Sequence, residues 1–544
     1  MVCLLLVAGL KSFLERRGLA LRWLVCGVVV ALFTWNVSLF YLPGQGYTYF
    51  IEFGSKEHAR YLPELLAVNH FEMRNSPGYD SQWYAQIAMH PRLTDPVIRH
   101  AVDSLPYRAR RILFEWTAWL MGGGNPTRVM NLYALQNVFC WYLLALLLLR
   151  WFPPDSWQNS FRWVATVLSF GLIFSVRSAL LDGPCLLIVA VGMALIESGR
   201  TWWGALAMGV SGLGKETSII GGMALSPPDI GKPRTWAPWA GKAVLVVAPI
   251  VLWLLYINVR IGKAGDVGAR NFAPPFTGLV DKIQDIVSGM IAGGAHDAMI
   301  RRLDLMVVVG LLAQFFFFAA RIRWRDPWWR VGATYAVLMV VLGGAVWEYY
   351  PSAAARVLLP MTLAFNVLVP RKGSWLVLLI AGNLGMFGAA DLLKPPGRET
   401  FKVVGPSALE INPKDNSVVR VIFGPKNWWD PEKSRWEYFR WTLGDCSLAI
   451  RNPQPFPIVA DVRFRLRSVD SREAKVTEGG KVLWDGMLAA ADIREAVIPD
   501  LLLPPGDTTL DFQSDRPPAY PGNDDERRLS FSVRSLEIDL KSRR

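Results

Sequence analysis

A polytopic α-helical membrane domain of about ten or eleven transmembrane helices, followed by a C-terminal all-β domain of the sandwich or jelly-roll kind, is the architecture this sequence predicts. Three observations predict it. The 544 residues are 52% hydrophobic with a mean hydropathy of +0.25, and their apolar runs reach the roughly 20 residues that cross a bilayer. The basic surplus lies entirely before residue 397, where 35 Lys and Arg face 22 Asp and Glu; beyond it the count is 23 against 23. At Pro395-Pro396-Gly397 long apolar runs give way to short alternating ones. A wholly soluble protein and a nucleic-acid-binding tail are excluded by this distribution, and the basic excess reads as a topology and anionic-substrate signal.

Lys11, Arg16 and Arg17 precede the run Leu19 to Phe40, which places the N-terminus in the cytoplasm. The run is too long for a signal-peptide core and lacks a small-residue cleavage site, so it reads as an uncleaved anchor. Segment 43–110 then lies outside. It is far longer than a usual connector, which argues for function, and it holds His58, His70, His90 and His100 with Glu52, Glu57, Glu64, Glu72 and Asp80. No histidine pair has the close helical spacing of a metal site, so solvated surface histidines are the better reading. The cysteines at 3, 26, 140, 185 and 446 form neither a disulfide framework nor a zinc spacing.

Within that segment Gly78-Tyr79-Asp80 reads as a turn that sets Asp80 at the N-cap of a short helix. Trp83 with Ile87 and Tyr84 with Ala88 repeat at four residues, an aromatic and apolar face suited to lying along a bilayer surface. A carboxylate is thereby held at the membrane edge, where the phosphate of a lipid-linked sugar sits. An ordinary capping Asp on an interfacial helix accounts for the same residues, and the rest of the chain must decide.

Further on come a short apolar piece (112–121), a Gly-Gly-Gly-Asn-Pro break, and runs at about 129–149, 163–174, 180–196, 202–225, 244–257, 305–320, 331–347, 357–369 and 375–390. Basic clusters at 232–242, 321–330 and Arg371-Lys372 mark cytoplasmic loops, leaving 259–303 and 347–356 outside and the C-terminal domain exported. Treating 112–121 as a partial helix and splitting 202–225 at Gly212-Leu213-Gly214 brings Asp182 and Lys215 to the outer face. Charges in or beside apolar runs are costly and so are functional candidates: Lys215 and Glu216 in one, Glu348 and Arg356 flanking another. Lys215 and Glu216 pairing with each other or with Asp182, and Arg356 as a snorkelling anchor, are the structural alternatives.

After residue 397, Val462, Phe464 and Leu466 alternate with Asp461, Arg463, Arg465 and Arg467 at the period of a half-buried strand. Other strands are expected at 418–423, 436–443, 448–451, 482–484, 509–512 and 530–540. Trp436 and Trp441 read as core; Trp428-Trp429, in a loop-like Pro425-Lys426-Asn427 context, reads as the exposed pair available to a sugar face.

Gly78-Tyr79-Asp80-Ser81-Gln82-Trp83-Tyr84 with Ile87-Ala88, Pro106-Tyr107-Arg108-Ala109-Arg110-Arg111-Ile112-Leu113, and Gly214-Lys215-Glu216-Thr217 together resemble the GT-C superfamily of polyprenyl-phosphate-sugar glycosyltransferases, close to bacterial relatives of the PIG-V mannosyltransferases. The resemblance covers about residues 1–395 and implies a GT-C-like catalytic membrane domain (1–396) with an extracytoplasmic, carbohydrate-binding β-domain (397–544). It implies inverting transfer of a sugar from a polyprenyl-phosphate donor to a glycan or glycolipid acceptor at the bilayer, in a bacterial inner membrane. Asp80 becomes the catalytic base. Many members carry two adjacent acids there and this chain has one, so Glu52 and Glu72 stand as rivals, with Asp182 and Glu348 as further acidic candidates. Donor phosphate falls to Lys215, Arg356, Arg108 and Arg111, and the acceptor to Trp83, Tyr84, Trp428 and Trp429. No nucleotide or other cofactor is needed, a divalent metal (Mg or Mn) stays open, and a transporter or flippase of a polar lipid or glycan is the alternative function.

Overall fold

An apolar first run behind basic residues folds as one long helix, Val2–Ser38. The computed structural model describes residues 2–395, 402–404 and 419–541, apart from 43–44, 69, 74–75, 230, 263–267, 293–294, 349, 351, 425, 431, 434–436, 453, 523–524 and 526. The chain divides into two units, one of residues 1–41 and 47–394, the other of 42–46 and 395–544.

The first unit is helical and membrane-spanning in character. Among the described residues five helices are long and apolar enough to cross a bilayer: Gly18–Ser38, Pro126–Leu148, Trp157–Arg177, Pro233–Arg260 and Met299–Ala320. A sixth arises if Gly373–Ala381 and Leu384–Leu392, bent by 45° at their break, count as one span. Fewer full-length helices form than the apolar runs suggest. The other runs are shortened or interrupted, as Asp182–Glu197, Thr201–Gly214, Pro327–Val341 and Leu359–Leu368. The short helix Leu113–Gly122 and a break after Gly214, continued as a 3-10 turn Glu216–Ala224, are both present. Breaks at membrane depth are tolerated only where protein encloses them, because free backbone N–H and C=O groups have no water to bond. Arg330 shows how: 4% exposed, it donates to the carbonyls of Met223 and Ala224 at the end of the 3-10 turn.

In the second unit, alternation becomes sheet. Its strands are β1 (Lys402–Val404), β2 (Arg420–Phe423), β3 (Glu432–Lys433), β4 (Tyr438–Trp441), β5 (Cys446–Asn452), β6 (Ile458–Ser468), β7 (Arg472–Glu478), β8 (Lys481–Leu488), β9 (Ile493–Leu503), β10 (Gly506–Ser514) and β11 (Phe531–Lys541). One sheet runs β8-β7-β10-β5-β2 and the other β9-β6-β11-β4-β3, with β1 parallel to β11. Val462, Phe464 and Leu466 on β6 point inward and are at most 2% exposed. The rings of Phe464 and Phe512, from opposite sheets, meet at 5.5 Å in the shared core. Strand β7 carries four charges in seven residues and β9 has its alternation broken at Pro499-Asp500, so neither stands out in the sequence; pairing with β8 and β6 recruits them.

Trp428 is not the exposed residue its loop context suggested. It is 8% exposed in the sandwich core, its ring N–H donating to the Ser447 carbonyl at 2.8 Å. Trp429 beside it is half-buried, with Arg527 over its ring at 5.4 Å. Trp441 is likewise half-buried, and Trp436 lies outside the described residues.

Candidate active site

The site begins at a turn only glycine can make. Gly78 has φ +72°, and a Cβ there would come within 2.7 Å of the Glu52 carbonyl and 2.5 Å of the Gln82 side chain. Tyr79 N–H donates to that Glu52 carbonyl at 3.0 Å, and Asp80 then leads the helix Ser81–Met89. All nine residues of this helix are buried, Trp83 at 6% exposed and Tyr84 at 1%. The bilayer-lying aromatic face is therefore absent, and Trp83 and Tyr84 are not open to an acceptor. The cause lies in the polar positions: Gln82 and Gln86 face inward and bond the surrounding loops, Gln82 Oε1 accepting from Gly54 N–H and Gln86 Oε1 from Leu62 N–H. The helix thus satisfies its polar side within the protein instead of in water.

Asp80 is the exception to this enclosure. Its carboxylate makes no capping bond; it pairs with Arg108 at 3.0 Å, and its side chain is 35% exposed. Burial works to raise the Asp80 carboxyl, but Arg108, with Arg356 and Arg111 behind it, outweighs that and holds it below the usual aspartate range.

The cations proposed from the sequence converge here. Arg108 is gripped by both oxygens of Asp103, at 3.0 and 2.8 Å, so its orientation does not depend on Asp80. Arg111 bonds Glu216 at 2.9 Å and also the hydroxyls of Tyr84 and Tyr107. Lys215 and Arg356 share one carboxylate, Asp182, which is 5% exposed; Arg356 stands 3.0 Å from it and reaches the Tyr79 hydroxyl at 3.2 Å. Arg356 is 8% exposed, so it is not a snorkelling anchor.

Of the acidic candidates, Glu52 sits beside this group, paired with Arg177 at 2.8 Å and held in the left-handed region at φ 56°. Burial raises its carboxyl above the usual glutamate range against the pull of Arg177. Glu72 pairs with His58 at 2.9 Å, and Glu348 pairs with Arg270; neither is bonded to the cluster. Sequence reasoning missed Asp103, Tyr79, Tyr84 as an arginine partner, and Arg177. Only Arg177, a charge at the end of an apolar run, left a signal. Among the described residues no three His, Cys, Asp or Glu side chains are grouped to hold a metal ion.

Chemically, the cluster sets the partly exposed Asp80 carboxylate among four buried or half-buried cations, Arg108, Arg111, Lys215 and Arg356, which share the three carboxylates of Asp103, Glu216 and Asp182. An anion entering there meets preorganised donors.

The fold and site are those of a multi-pass membrane protein with a polar centre built on broken helices. No protein-family model matches the chain, and no curated protein matches it. Among solved structures, the cryo-EM structure of arabinosyltransferase EmbB from Mycobacterium smegmatis is similar at a TM-score of 0.33 and 11% identity, over 94% of this chain and 64% of that one.

Proposed function

We propose that this protein is a membrane glycosyltransferase that moves a sugar from a polyprenyl-phosphate donor to an extracytoplasmic glycan or glycolipid acceptor with inversion, Asp80 acting as general base. One observation carries the reading: Asp80, at the head of the helix Ser81–Met89, still opens to solvent by a third and is paired with Arg108, with Arg356 and Arg111 close behind. Asp80 takes the proton of the acceptor hydroxyl as that oxygen attacks C1 of the sugar, and the C1–O bond to the phosphate breaks. The departing phosphate gains negative charge beside Arg356, Lys215 and the Arg108–Arg111 segment, where charge-assisted bonds are short and strong. Donor binding also prepares the base. A phosphate that draws Arg108 and Arg356 toward itself weakens their hold on Asp80, so the carboxylate becomes a better proton acceptor only when the donor is in place.

The sugar and acceptor belong to the test. Purified protein in nanodiscs is incubated with a panel of polyprenyl-phosphate hexoses and pentoses, and free polyprenyl phosphate and glycosylated product are measured. Release of polyprenyl phosphate from at least one donor supports transfer or hydrolysis. A transporter of polar lipids would move the donor across the bilayer unchanged, and donor intact across the whole panel would refute the enzymatic reading.

A further inference from the structure

We propose that Glu216 is a positioning residue for this reaction: through Arg111 and Tyr84 it fixes the first turn of the helix that carries Asp80, so that the break at Gly214–Thr217 holds the base from both sides. The inference rests on Asp80 being the base.

The break is wedged in place. A Cβ on Gly214 would lie 2.6 Å from the Phe114 ring and 2.7 Å from Cys185 Sγ, so the chain there is pressed between the helices Leu113–Gly122 and Asp182–Glu197. Ile112 N–H donates to Leu213 O at 2.8 Å, joining the break to the residue after Arg111. Lys215 itself is extended, φ −159° and ψ 128°, which ends the helix and sends Lys215 and Glu216 in different directions.

Each direction leads to a tyrosine flanking Asp80. Lys215 binds Asp182, Asp182 binds Arg356, and Arg356 donates to the hydroxyl of Tyr79, the residue before the base. Glu216 binds Arg111, and Arg111 donates to the hydroxyl of Tyr84, one turn after the base. The Arg111 guanidinium is divided among Glu216, Tyr84 and Tyr107, so each partner fixes its plane for the others. Arg108, which pairs with Asp80, also reaches the Tyr84 hydroxyl at 3.4 Å. Removing Glu216 leaves Arg111 free to swing toward Asp80 and Tyr84 without its anchor.

The test uses full-length protein and the polyprenyl-phosphate sugar that the panel selects. Glu216→Gln should lower kcat on the order of 10- to 100-fold, the scale of a misplaced catalytic group, with a much smaller change in donor KM, since Arg111 keeps its charge beside the donor phosphate. Glu216→Asp, which keeps a carboxylate, should recover most of the loss. A purely structural role would instead reduce the yield of folded protein, with no split between kcat and KM and no rescue. Should Glu216→Gln fail to fold, Tyr84→Phe severs the same link while keeping the ion pair, and should also lower kcat far more than it changes donor KM. Wild-type kcat in a folded Glu216→Gln or in Tyr84→Phe overturns the proposal. Asp80→Asn run alongside separates the two ideas: full turnover there removes the base assignment, whereas an inactive Asp80→Asn with an unimpaired Glu216→Gln removes only this one.

Discussion

Replacing Asp80 by Asn tests the catalytic reading with little structural cost, because the side chain holds up nothing else. It makes no capping bond, and Arg108 keeps its two-oxygen grip on Asp103 when the Asp80 charge is gone. What is lost structurally is one ion pair whose carboxylate is 35% exposed, and screened pairs of that kind are worth about 0.2–1 kcal/mol. What is lost chemically is a general base, about 10²- to 10⁴-fold in rate. At 1.36 kcal/mol per tenfold that is roughly 2.7–5.4 kcal/mol in the barrier, several times the structural term. The variant should therefore melt within a few degrees of wild type, bind donor normally and turn over at least about 100-fold more slowly. Assays are steady-state transfer, donor titration and thermal unfolding on the same preparation. Near-normal turnover with unchanged stability would refute the reasoning, as would loss of turnover that merely tracks loss of folded protein.

Further outcomes follow from the same geometry. Because Asp80 is held below the usual aspartate range, donor-free enzyme should keep its base ionised from neutral pH down to about pH 4, so kcat/KM should be flat there and fall only in stronger acid. The stability sign agrees: a depressed folded pKa contributes stability present above the unfolded value of about 3.9 and lost as pH falls through the folded one. Glu72→Gln, remote from the cluster, should leave turnover nearly unchanged, while Glu52→Gln should cost stability, on the order of 3–5 kcal/mol for stranding the buried Arg177, with a much smaller effect on turnover of the folded fraction than Asp80→Asn. Arg356→Ala should weaken donor binding about tenfold or more in titrations, since the charge-assisted bond proposed to the donor phosphate, worth about 1.5–3 kcal/mol, is removed. Residues 395–544 expressed alone should unfold cooperatively, and Trp428→Ala should destabilise that domain by about 3–5 kcal/mol, whereas Trp429→Ala should leave its melting nearly unchanged and be read by glycan titration. Membrane-impermeant thiol reagents applied to intact cells should label cysteines placed at Lys56 and Val482 but not at Arg323; protection of the first two would overturn the proposed orientation.

Composition and period alone determine the helical apolar region, the change near Pro395, the inward face of β6 and the interruption of one apolar run at Gly214, because each is a local property of neighbouring residues. Period also specifies that the helix after Asp80 has an apolar side, but not what covers it. Gln82 and Gln86 are two polar positions one turn apart, and only the folded loops at Gly54, Leu62 and Ala101 supply the partners that let them be buried. The same limit hid Trp428, whose loop-like neighbours carry no sign of the sheet that closes over it. Each member of the cluster could be nominated singly, Lys215 and Arg356 as charges in costly places, Asp80 as the acid heading a short helix, Arg108 and Arg111 as cations closing the outer loop, and Asp182 as an acid beside an apolar run. That they form one centre was decided by tertiary structure, since Arg356 and Tyr79 meet across 277 positions of chain and Lys215 and Asp182 across 33. A buried charge must find its counter-charge wherever the fold delivers one, and no local pattern records that address.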